Sequence, residues 1–372
     1  MARPRQRPAG EGPAVTKLPP RPGGVTIAEV ARHAGVSTAV VSRLVNNDQA
    51  LSIRDETRSR VLAAIEDLGY QPNATARSLR RSRMDAFGLI IPNFGNPVYA
   101  EIIQGAEATA VGMNCVLLTG SSAGSGLTPM QYARQLASGR VDGLLLADTD
   151  ADTDADTEAD AGAGAVAGTA LEPLSVPFLL VNRRVPGVSR YIVLDDERAA
   201  DMAVSHLVDL GHTRIAHIAG PSSADTAGRR AAGYRTAMRT AGLATPPGLV
   251  VSADYTPAGG FGAMSKLLAL RDPPTAVFVA NVTSAAGALH SAAARGARIP
   301  GDISVITVHD LSLAAFLSPA LTTVRMPLTG LGARALELLA ERPASDPIQE
   351  TFDGPMELVI RDSTAPPRAG GR

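Results

Sequence analysis

The sequence predicts a small all-α head followed by an α/β body of two doubly wound parallel-sheet subdomains. Residues 25–43 have apolar positions at the spacing of two short helices that share one core across a glycine turn. From Phe87 onward, short apolar runs alternate with helical stretches, which is the pattern of repeated βα units. The length of 372 residues also exceeds what one core usually supports.

Three helices are predicted in the head. Thr26 and Ser37 each stand just before a helix, where a hydroxyl can accept a hydrogen bond from an otherwise unpaired backbone N–H. Gly35 lies in the turn, which needs a residue free to adopt positive φ. The third helix is expected to bury Val61 and Leu62 and to end at a glycine. The helices are predicted at 26–33, 37–46 and about 55–68.

Seven apolar segments of the body are predicted to be buried parallel strands, because each is bounded by Gly, Pro or Asn. They are FGLIIP, NCVLLTG, VDGLLLA, PFLLVN, RIAHIAG, TAVFVA and ISVITV. Helices are predicted between them at 97–112, 196–210, 228–241, 259–270 and 282–296. Their number indicates two sheets, and ligands of such folds bind where the loops at the carboxyl ends of the strands converge.

Charge is divided unevenly along the chain. Residues 1–83 carry 14 Lys and Arg against 7 Asp and Glu, whereas residues 84–372 carry 21 against 29. A basic head on a mildly acidic body is typical of a protein whose head alone meets a polyphosphate. Together with the two helices and the glycine turn, this asymmetry predicts that the head binds DNA.

Several other classes of protein are disfavoured. No run of about 18 apolar residues is present, so no membrane span is expected. A single cysteine, Cys115, and an N-terminus without an apolar segment favour a cytoplasmic protein. No nucleophile elbow, P-loop or GxGxxG is present, so an enzyme is not predicted. Structural roles are expected for His206, His212 and His217, and no metal or other cofactor is predicted.

Asp148 to Asp160 reads DTDADTDADTEAD, with an acidic residue at every even position. Alternate carboxylates would repel one another on a strand face, so a solvated, disordered insert is expected over about 148–172. A calcium loop is the alternative, because alternating Asp residues resemble an array of oxygen ligands. The missing glycine turn and the missing terminal Glu count against calcium.

Five blocks of sequence, in order, resemble the LacI/GalR family of bacterial transcription regulators. They are TIAEVARHAGVS with VVSRLVN, YQPNATARSLR, GLIIPNFGNPVYAEIIQGAE, HLVDLGHTRIAHIAG, and SPALTTVRMP with the terminal LVIRDSTAPP. The resemblance implies a helix-turn-helix DNA-binding head and a periplasmic-binding-protein-like body with three crossovers between its subdomains. It also implies a homodimer.

Residues 1–24 are rich in proline, glycine and arginine and have almost nothing apolar, so they are predicted to form a disordered basic arm. The resemblance divides the rest of the chain. It implies a helix-turn-helix domain (25–71), a hinge helix with its linker (72–84), an effector-binding and dimerisation domain (85–362) and a tail (363–372). Within the large domain, the N-subdomain is expected at about 85–190 and 328–350. The C-subdomain is expected at about 191–324 and 351–362.

The family pattern also implies which residues meet DNA. Thr38 and Ala39 match the main base-reading positions, with Arg43 able to bond a guanine edge. Phosphate or backbone contacts are implied for Thr26, Ser37, Ser42, Asn46, Tyr70 and Arg80.

The hinge segment Asn73 to Arg80 resembles one that folds on DNA and enters the minor groove. Leu79 would be the wedge at the central base step, and Ala76 would allow the symmetry-related helix to approach. Eight residues are too few for a stable isolated helix, so this order is expected to depend on DNA and on the second subunit.

The effector pocket departs from the family pattern. The residues implied to bind the effector are Asn93, Phe94, Tyr99, Asn182, Arg183, Arg230, Asn281 and His309. Asn182, Val282 and His309 stand where aspartates are usual, and Leu328 stands where an aromatic ring often stacks on sugar. Because the pKa of a histidine lies near neutrality, His309 could respond to an anionic ligand or to pH.

The sequence therefore predicts a DNA-binding regulator, expected to be a repressor, that binds a roughly palindromic site in double-stranded DNA. A small-molecule effector between the two subdomains, carbohydrate-related by family pattern, is expected to control it. Two alternatives stay open. One is a regulator with a non-sugar or protein effector, and the other is a small-molecule binding module without DNA regulation.

Overall fold

A computed structural model of the chain describes residues 25–46, 48, 50–70, 83–123, 126–149, 174–342 and 344–368. The chain divides into two compact units between Ser82 and Arg83, and each is described by itself. The predicted arm at 1–24 and residues 72–82 of the predicted hinge lie outside the described residues, as does most of the acidic insert.

The head contains the three predicted helices, α1 (Ile27–Ala34), α2 (Thr38–Val45) and α3 (Asp55–Asp67). Thr26 caps α1 through a reciprocal pair of bonds with Glu29, and Ser37 caps α2 by accepting from the Val40 N–H. Gly35 ends α1 with φ of 64°, which is the left-handed conformation that the turn requires. Both predicted caps are confirmed.

A small core joins the three helices of the head. Val30 and Val41 are fully buried, and Val61 brings α3 into contact with them. Arg60 also ties α3 to the end of α1, because its Nε donates to the Ala34 carbonyl oxygen at 2.8 Å. The prediction that Leu62 is buried was wrong: its side chain lies on the solvent face of α3.

The second unit alternates strands and helices, as the sequence predicts. Its strands are β1 (Ala86–Ile91), β2 (Val116–Ser121), β3 (Gly143–Leu146), β4 (Phe178–Val181), β5 (Arg190–Leu194), β6 (Ile215–Ala219), β7 (Val250–Ser252), β8 (Ala276–Val279), β9 (Ser304–Val308), β10 (Thr322–Arg325), β11 (Ile348–Phe352) and β12 (Glu357–Val359). Its α-helices are α4 (Val98–Gly112), α5 (Pro129–Ala137), α6 (Asp196–Asp209), α7 (Asp225–Thr240), α8 (Pro257–Leu268), α9 (Val282–Ala294) and α10 (Leu328–Glu341), and a 3₁₀ helix spans Ser312–Phe316.

The strands form two six-stranded sheets, which confirms the predicted pair. The first has the order β11-β5-β4-β3-β1-β2 and the second β12-β10-β9-β8-β6-β7. Every neighbouring pair is parallel except β10 with β12. The chain crosses between the sheets three times, after β5, after β10 and after β11. These crossovers leave a cleft between two subdomains.

The subdomain boundaries lie slightly beyond the predicted ones. Because β5 and β11 both belong to the first sheet, the N-subdomain extends to Leu194 in its first part and to Phe352 in its second. The predicted tail also begins too early. Ser363 is fully buried and its Oγ donates to the Val305 carbonyl oxygen, so this part of the chain completes the C-subdomain.

Two glycines bring α4 and α10 into close contact. A Cβ atom on Gly105 would lie 1.9 Å from the Thr329 carbonyl oxygen, and one on Gly332 would lie 2.0 Å from that of Ile102. Only glycine permits this approach of two backbones. The contact packs α10, from the second chain segment of the N-subdomain, against α4, from the first segment.

Two further predictions about the body need correction. Segment NCVLLTG is an edge strand rather than a buried one, with Val116 and Leu118 exposed and Cys115 only half-buried. The acidic insert was expected to be disordered from residue 148, yet Asp148 and Thr149 are buried after β3. Within the described residues, no helix is long and apolar enough to cross a membrane.

Candidate functional site

The second helix of the head presents its predicted base-reading residues to solvent. Thr38, Ala39 and Arg43 are exposed, whereas Val41 on the opposite face is completely buried in the head core. This division gives α2 one face for packing and one for a partner. A helix in the major groove needs such a face.

Arg43 is paired within the head. Its Nε donates to Asp48 Oδ2 at 2.7 Å, and Asp48 Oδ1 accepts from the Ala50 N–H. Asn46 turns back on its own helix, because its Nδ2 donates to the Ser42 carbonyl oxygen at 2.7 Å. The Asp48 contact engages only Nε of Arg43, so the four N–H groups on its two terminal nitrogens are left for a partner.

The remaining predicted DNA residues have structural contacts or lie outside the described part of the chain. The hydroxyls of Thr26 and Ser37 are exposed but serve as helix caps. Tyr70 is half-buried against the head core. The hinge residues lie outside the described residues, namely Asn73, Ala76, Leu79 and Arg80.

A cavity of about 730 Å³ lies in the cleft between the two subdomains of the body. Its lining comes from loops at the carboxyl ends of strands in both sheets, where ligands of doubly wound folds bind. Seven of the eight predicted effector residues line it: Asn93, Tyr99, Asn182, Arg183, Arg230, Asn281 and His309. Phe94 is the exception, because its ring is 62% exposed and is not part of the lining.

Arg230 is held at the cavity wall by three partners. Its Nε donates to Asp196 Oδ1 at 2.7 Å, its Nη1 to the Ala280 carbonyl oxygen at 2.8 Å, and its Nη2 to His309 Nε2 at 2.8 Å. Asp196 is completely buried at the start of α6. Burial opposes the charge of Asp196, but the charges of Arg230 and Arg229 outweigh it and lower the pKa of the carboxyl.

The charged network continues from Asp196 to the other side of the cleft. Asp196 Oδ2 accepts from Arg229 Nη2 at 2.6 Å, and Arg229 Nη1 donates to Asp225. Asp225 Oδ2 also accepts the backbone N–H of Arg184 at 2.8 Å. Because Arg184 follows β4 in the N-subdomain and Asp225 begins α7 in the C-subdomain, this bond joins the two subdomains.

His309 is a neutral imidazole in this arrangement. A guanidinium has only donors, so His309 Nε2 accepts from Arg230 and the ring proton lies on Nδ1. Burial, followed by the charge of Arg230, lowers the pKa of His309 to about 3. The prediction that His309 could respond to pH near neutrality was therefore wrong, since a second cation cannot be accommodated beside Arg230.

Asn281, which matches the family pattern, and three positions that depart from it have distinct roles. Asn182 adopts φ of 58°, and its Oδ1 has no partner among the described residues. Asn281 caps α9 by accepting from the Ser284 N–H at 2.8 Å. Val282 and Leu328 are buried in the hydrophobic core and do not line the cavity.

Sequence reasoning missed Asp196, Asp225, Thr226 and Tyr255. Tyr255 lines the cavity with its ring near the Arg230 guanidinium, 6.0 Å from the ring centre, and its hydroxyl lies 2.9 Å from Thr226 Oγ1. The adjacent arginines of GRRAAGY were the available signal, because two buried guanidiniums require carboxylates nearby.

Family comparisons agree with this arrangement. The model for bacterial regulatory proteins of the lacI family matches residues 26–73, which include the three helices of the head. The model for a periplasmic binding protein-like domain matches residues 204–364.

The chain is similar to named repressors over most of its length. It is 34% identical over 326 residues to the ribose operon repressor of Escherichia coli (strain K12), covering 87% of this chain and 95% of that protein. It is 32% identical over 341 residues to the HTH-type transcriptional repressor PurR of Photobacterium profundum, covering 91% and 98%.

A solved structure of the lac repressor dimer, bound to operator and the anti-inducer ONPF, matches with a TM-score of 0.78 and 26% identity. The match covers 92% of this chain and 100% of that one. The matches to these repressors cover both the head and the body of this chain. The chain belongs to the LacI family of DNA-binding bacterial transcription regulators.

Proposed function

We propose that this protein is a transcriptional repressor that binds a roughly palindromic operator as a homodimer and is controlled by a small molecule in the cleft. The observation that carries the proposal is the combination of an exposed reading helix in the head and a cavity of about 730 Å³ between the subdomains. The cavity is large enough for a small metabolite and favours such an effector over a protein.

The reading helix α2 enters the major groove. Thr38 and Ala39 can offer a short hydroxyl and an apolar contact to base edges, and Arg43 can bond the O6 and N7 atoms of a guanine. Ser42 and Asn46, with the capping residues Thr26 and Ser37, contact the phosphates and fix the register of the helix.

The segment at residues 73–80 completes the DNA contact. Leu79 inserts at the central base step of the site, and Asn73 and Arg80 contact the adjacent backbone. Ala76 permits the two hinge segments of the dimer to approach each other. This assignment rests on the family pattern of the sequence.

Two groups of exposed apolar side chains support the homodimer. The first lies at the end of α4 and along the edge strand β2, where Val111 is 67% and Val116 is 57% exposed. The second lies on the 3₁₀ helix, where Phe316 is 84% exposed. Exposed apolar groups of this kind mark contact surfaces, and the lac repressor relative is a dimer on its operator. We assign both groups to contact with a second copy of this chain.

Ligand control passes through one bond that spans the cleft and through the crossover that follows β10. The bond from Arg184 to Asp225 joins the two subdomains next to the cavity. The crossover begins at Arg325, the last residue of β10, where the chain leaves the C-subdomain for the N-subdomain. Arg325 Nη2 donates to Asp310, the residue after His309, at 2.6 Å. A ligand that changes the angle between the subdomains shifts the population of the DNA-binding state by its differential affinity for the two states.

The proposal is tested by selecting genomic fragments with the full chain at moderate salt. Enriched fragments should share a roughly palindromic site, and replacing Leu79 with Ala should weaken binding to that site far more than binding to random DNA. Equal losses on both kinds of DNA would refute the role of Leu79. If no site is enriched, the DNA-binding function fails, and the protein is at most a ligand-binding module.

A further inference from the structure

Two buried arginines meet a single buried carboxylate behind the wall of the cavity. Asp196 has one oxygen on Arg230 and the other on Arg229, and its side chain is completely buried. Asp225 provides the second carboxylate through Arg229. Two guanidiniums and two carboxylates therefore balance one another.

Arg230 and Asp225 are the members of this network that line the cavity, and Arg230 is the one that can donate to a ligand there. Three of its nitrogens already donate to Asp196, Ala280 and His309, so two of its five N–H groups remain for a ligand. An anion gains less from a guanidinium whose charge a carboxylate already neutralises, and it must still lose its own hydration. An uncharged hydroxyl has no such penalty and can accept from the two remaining N–H groups.

We propose that Asp196 sets the charge of the ligand that the cleft accepts: by neutralising Arg230 from behind, it makes the cleft select an uncharged, hydroxyl-bearing ligand over an anion. Asp196 does not touch the ligand and is a positioning residue. It also fixes the orientation of the guanidinium, and through it the neutral state of His309. This inference rests on the proposed function, because it concerns the effector of the same cleft.

The proposal separates two roles that an arginine in a ligand cavity can have. Free of a carboxylate, its planar fork is a receptor for phosphate or carboxylate groups. Paired with Asp196, it is a rigid donor to hydroxyls. Replacing Asp196 with Asn keeps the shape of the side chain and removes its charge. Arg230 should then bind anions instead of donating mainly to uncharged hydroxyls.

Inorganic phosphate is the probe for the test, with sodium chloride at matched ionic strength as the reference. The thermal midpoint of the full wild-type chain should not rise in a saturable manner with phosphate. The Asp196→Asn variant should bind phosphate tighter than the wild type by roughly tenfold or more, read as a saturable rise of its midpoint.

Asp254→Asn is the matched control. Asp254 also lines the cavity and the change removes the same charge, but the Asp254 carboxylate bonds Thr256 rather than an arginine. This variant should respond to phosphate as the wild type does. An equal response of both variants would overturn the proposal, because loss of any nearby negative charge would then suffice.

A measurement on the wild type covers the case in which Asp196→Asn does not fold. In nitrogen-15 NMR spectra of histidine-labelled protein, His309 should show the neutral form with its proton on Nδ1, and added phosphate at matched ionic strength should leave its ring resonances unchanged. A shift of these resonances with phosphate would overturn the proposal, because it would place the anion at Arg230.

The outcomes for this inference and for the proposed function are distinct. If the wild type binds phosphate at Arg230 and still selects a DNA site, only the role of Asp196 fails. If it selects no DNA site, the repressor function fails while the phosphate measurements still report on the cleft.

Discussion

The backbone N–H of Arg184 donates to Asp225 Oδ2 at 2.8 Å, and this bond joins the two subdomains of the body beside the ligand cavity. Asp225 is also held by Arg229, which lies one residue before the cavity arginine. A contact between subdomains is thus linked by successive ion pairs to the cavity wall. Hydrogen exchange of the Arg184 amide should therefore report how often the cleft opens.

Replacing Asp225 with Ala should speed hydrogen exchange of the Arg184 amide several-fold, because the amide loses its acceptor and the cleft opens more often. Mass spectrometry of peptides that contain Arg184 measures this rate. Asp254→Ala, which removes a carboxylate from the same cavity without touching Arg184, should leave the rate unchanged. Unaltered exchange in Asp225→Ala would exclude the bond from the control of the cleft.

Gly105→Ala should destabilise the body by about 1–3 kcal/mol or more, because the added methyl group meets the Thr329 backbone. A fall of several degrees in the thermal midpoint is expected.

Gly112→Ala in the same helix is the control, since a Cβ there meets nothing within 4 Å. It should be neutral or stabilising by up to about 1 kcal/mol. Similar midpoints for the two variants would show that α4 and α10 do not pack as described.

Stability should fall as the pH is lowered below about 6.5. His217 is buried between the rings of Tyr234 and Phe278, and burial lowers its pKa to about 4 from 6.5. Between these two values the unfolded chain binds the proton and the folded chain does not. The free energy of unfolding therefore decreases with falling pH across this window, by roughly 3 kcal/mol for this one group.

Urea unfolding at a series of pH values measures this dependence. His217→Phe retains an aromatic ring and removes the titrating group, so its stability should depend less steeply on pH. His309 remains in the variant and preserves part of the slope. The same slope in both proteins would mean that His217 takes up its proton in the folded state.

Asp48→Ala should strengthen operator binding several-fold at low salt, since it releases Arg43 and removes a negative charge near the DNA phosphates. Fluorescence anisotropy with operator DNA measures the change. Arg43→Ala should cost about 1–3 kcal/mol and relax the choice of one base pair.

A double variant and a charge control separate the two effects. If Arg43 carries the gain, most of it should vanish when Asp48→Ala is combined with Arg43→Ala. Asp67→Ala removes the same charge from an exposed carboxylate that is not in contact with Arg43. A gain from Asp67→Ala as large as that from Asp48→Ala would contradict a specific role for the pair.

Local sequence patterns were sufficient to predict the helices of the head and most helices and strands of the body. Thr26, Gly35 and Ser37 act through residues within a few positions of themselves, so the sequence predicted their roles. Short or half-exposed strands such as Val250–Ser252 and Glu357–Val359 have too few apolar residues to be recognised and depend on their neighbours in the sheet.

The cleft was predictable only in part. Positions such as Arg230 and His309 were found through the family pattern, but the partner of Arg230 was not. Asp196 lies 34 residues from Arg230 in sequence and meets it only when α6 and α7 pack together. For the same reason, the neutral state of His309 follows from its burial beside Arg230 and not from its local sequence.

The most direct test is the ratio of the affinities of the full chain for its selected genomic site and for a scrambled site of equal length, at the same salt concentration. We predict a ratio of about 10³ or more, which falls sharply in Leu79→Ala and changes when a ligand occupies the cleft. A ratio near one, with or without ligand, would contradict the proposed role as a ligand-controlled repressor.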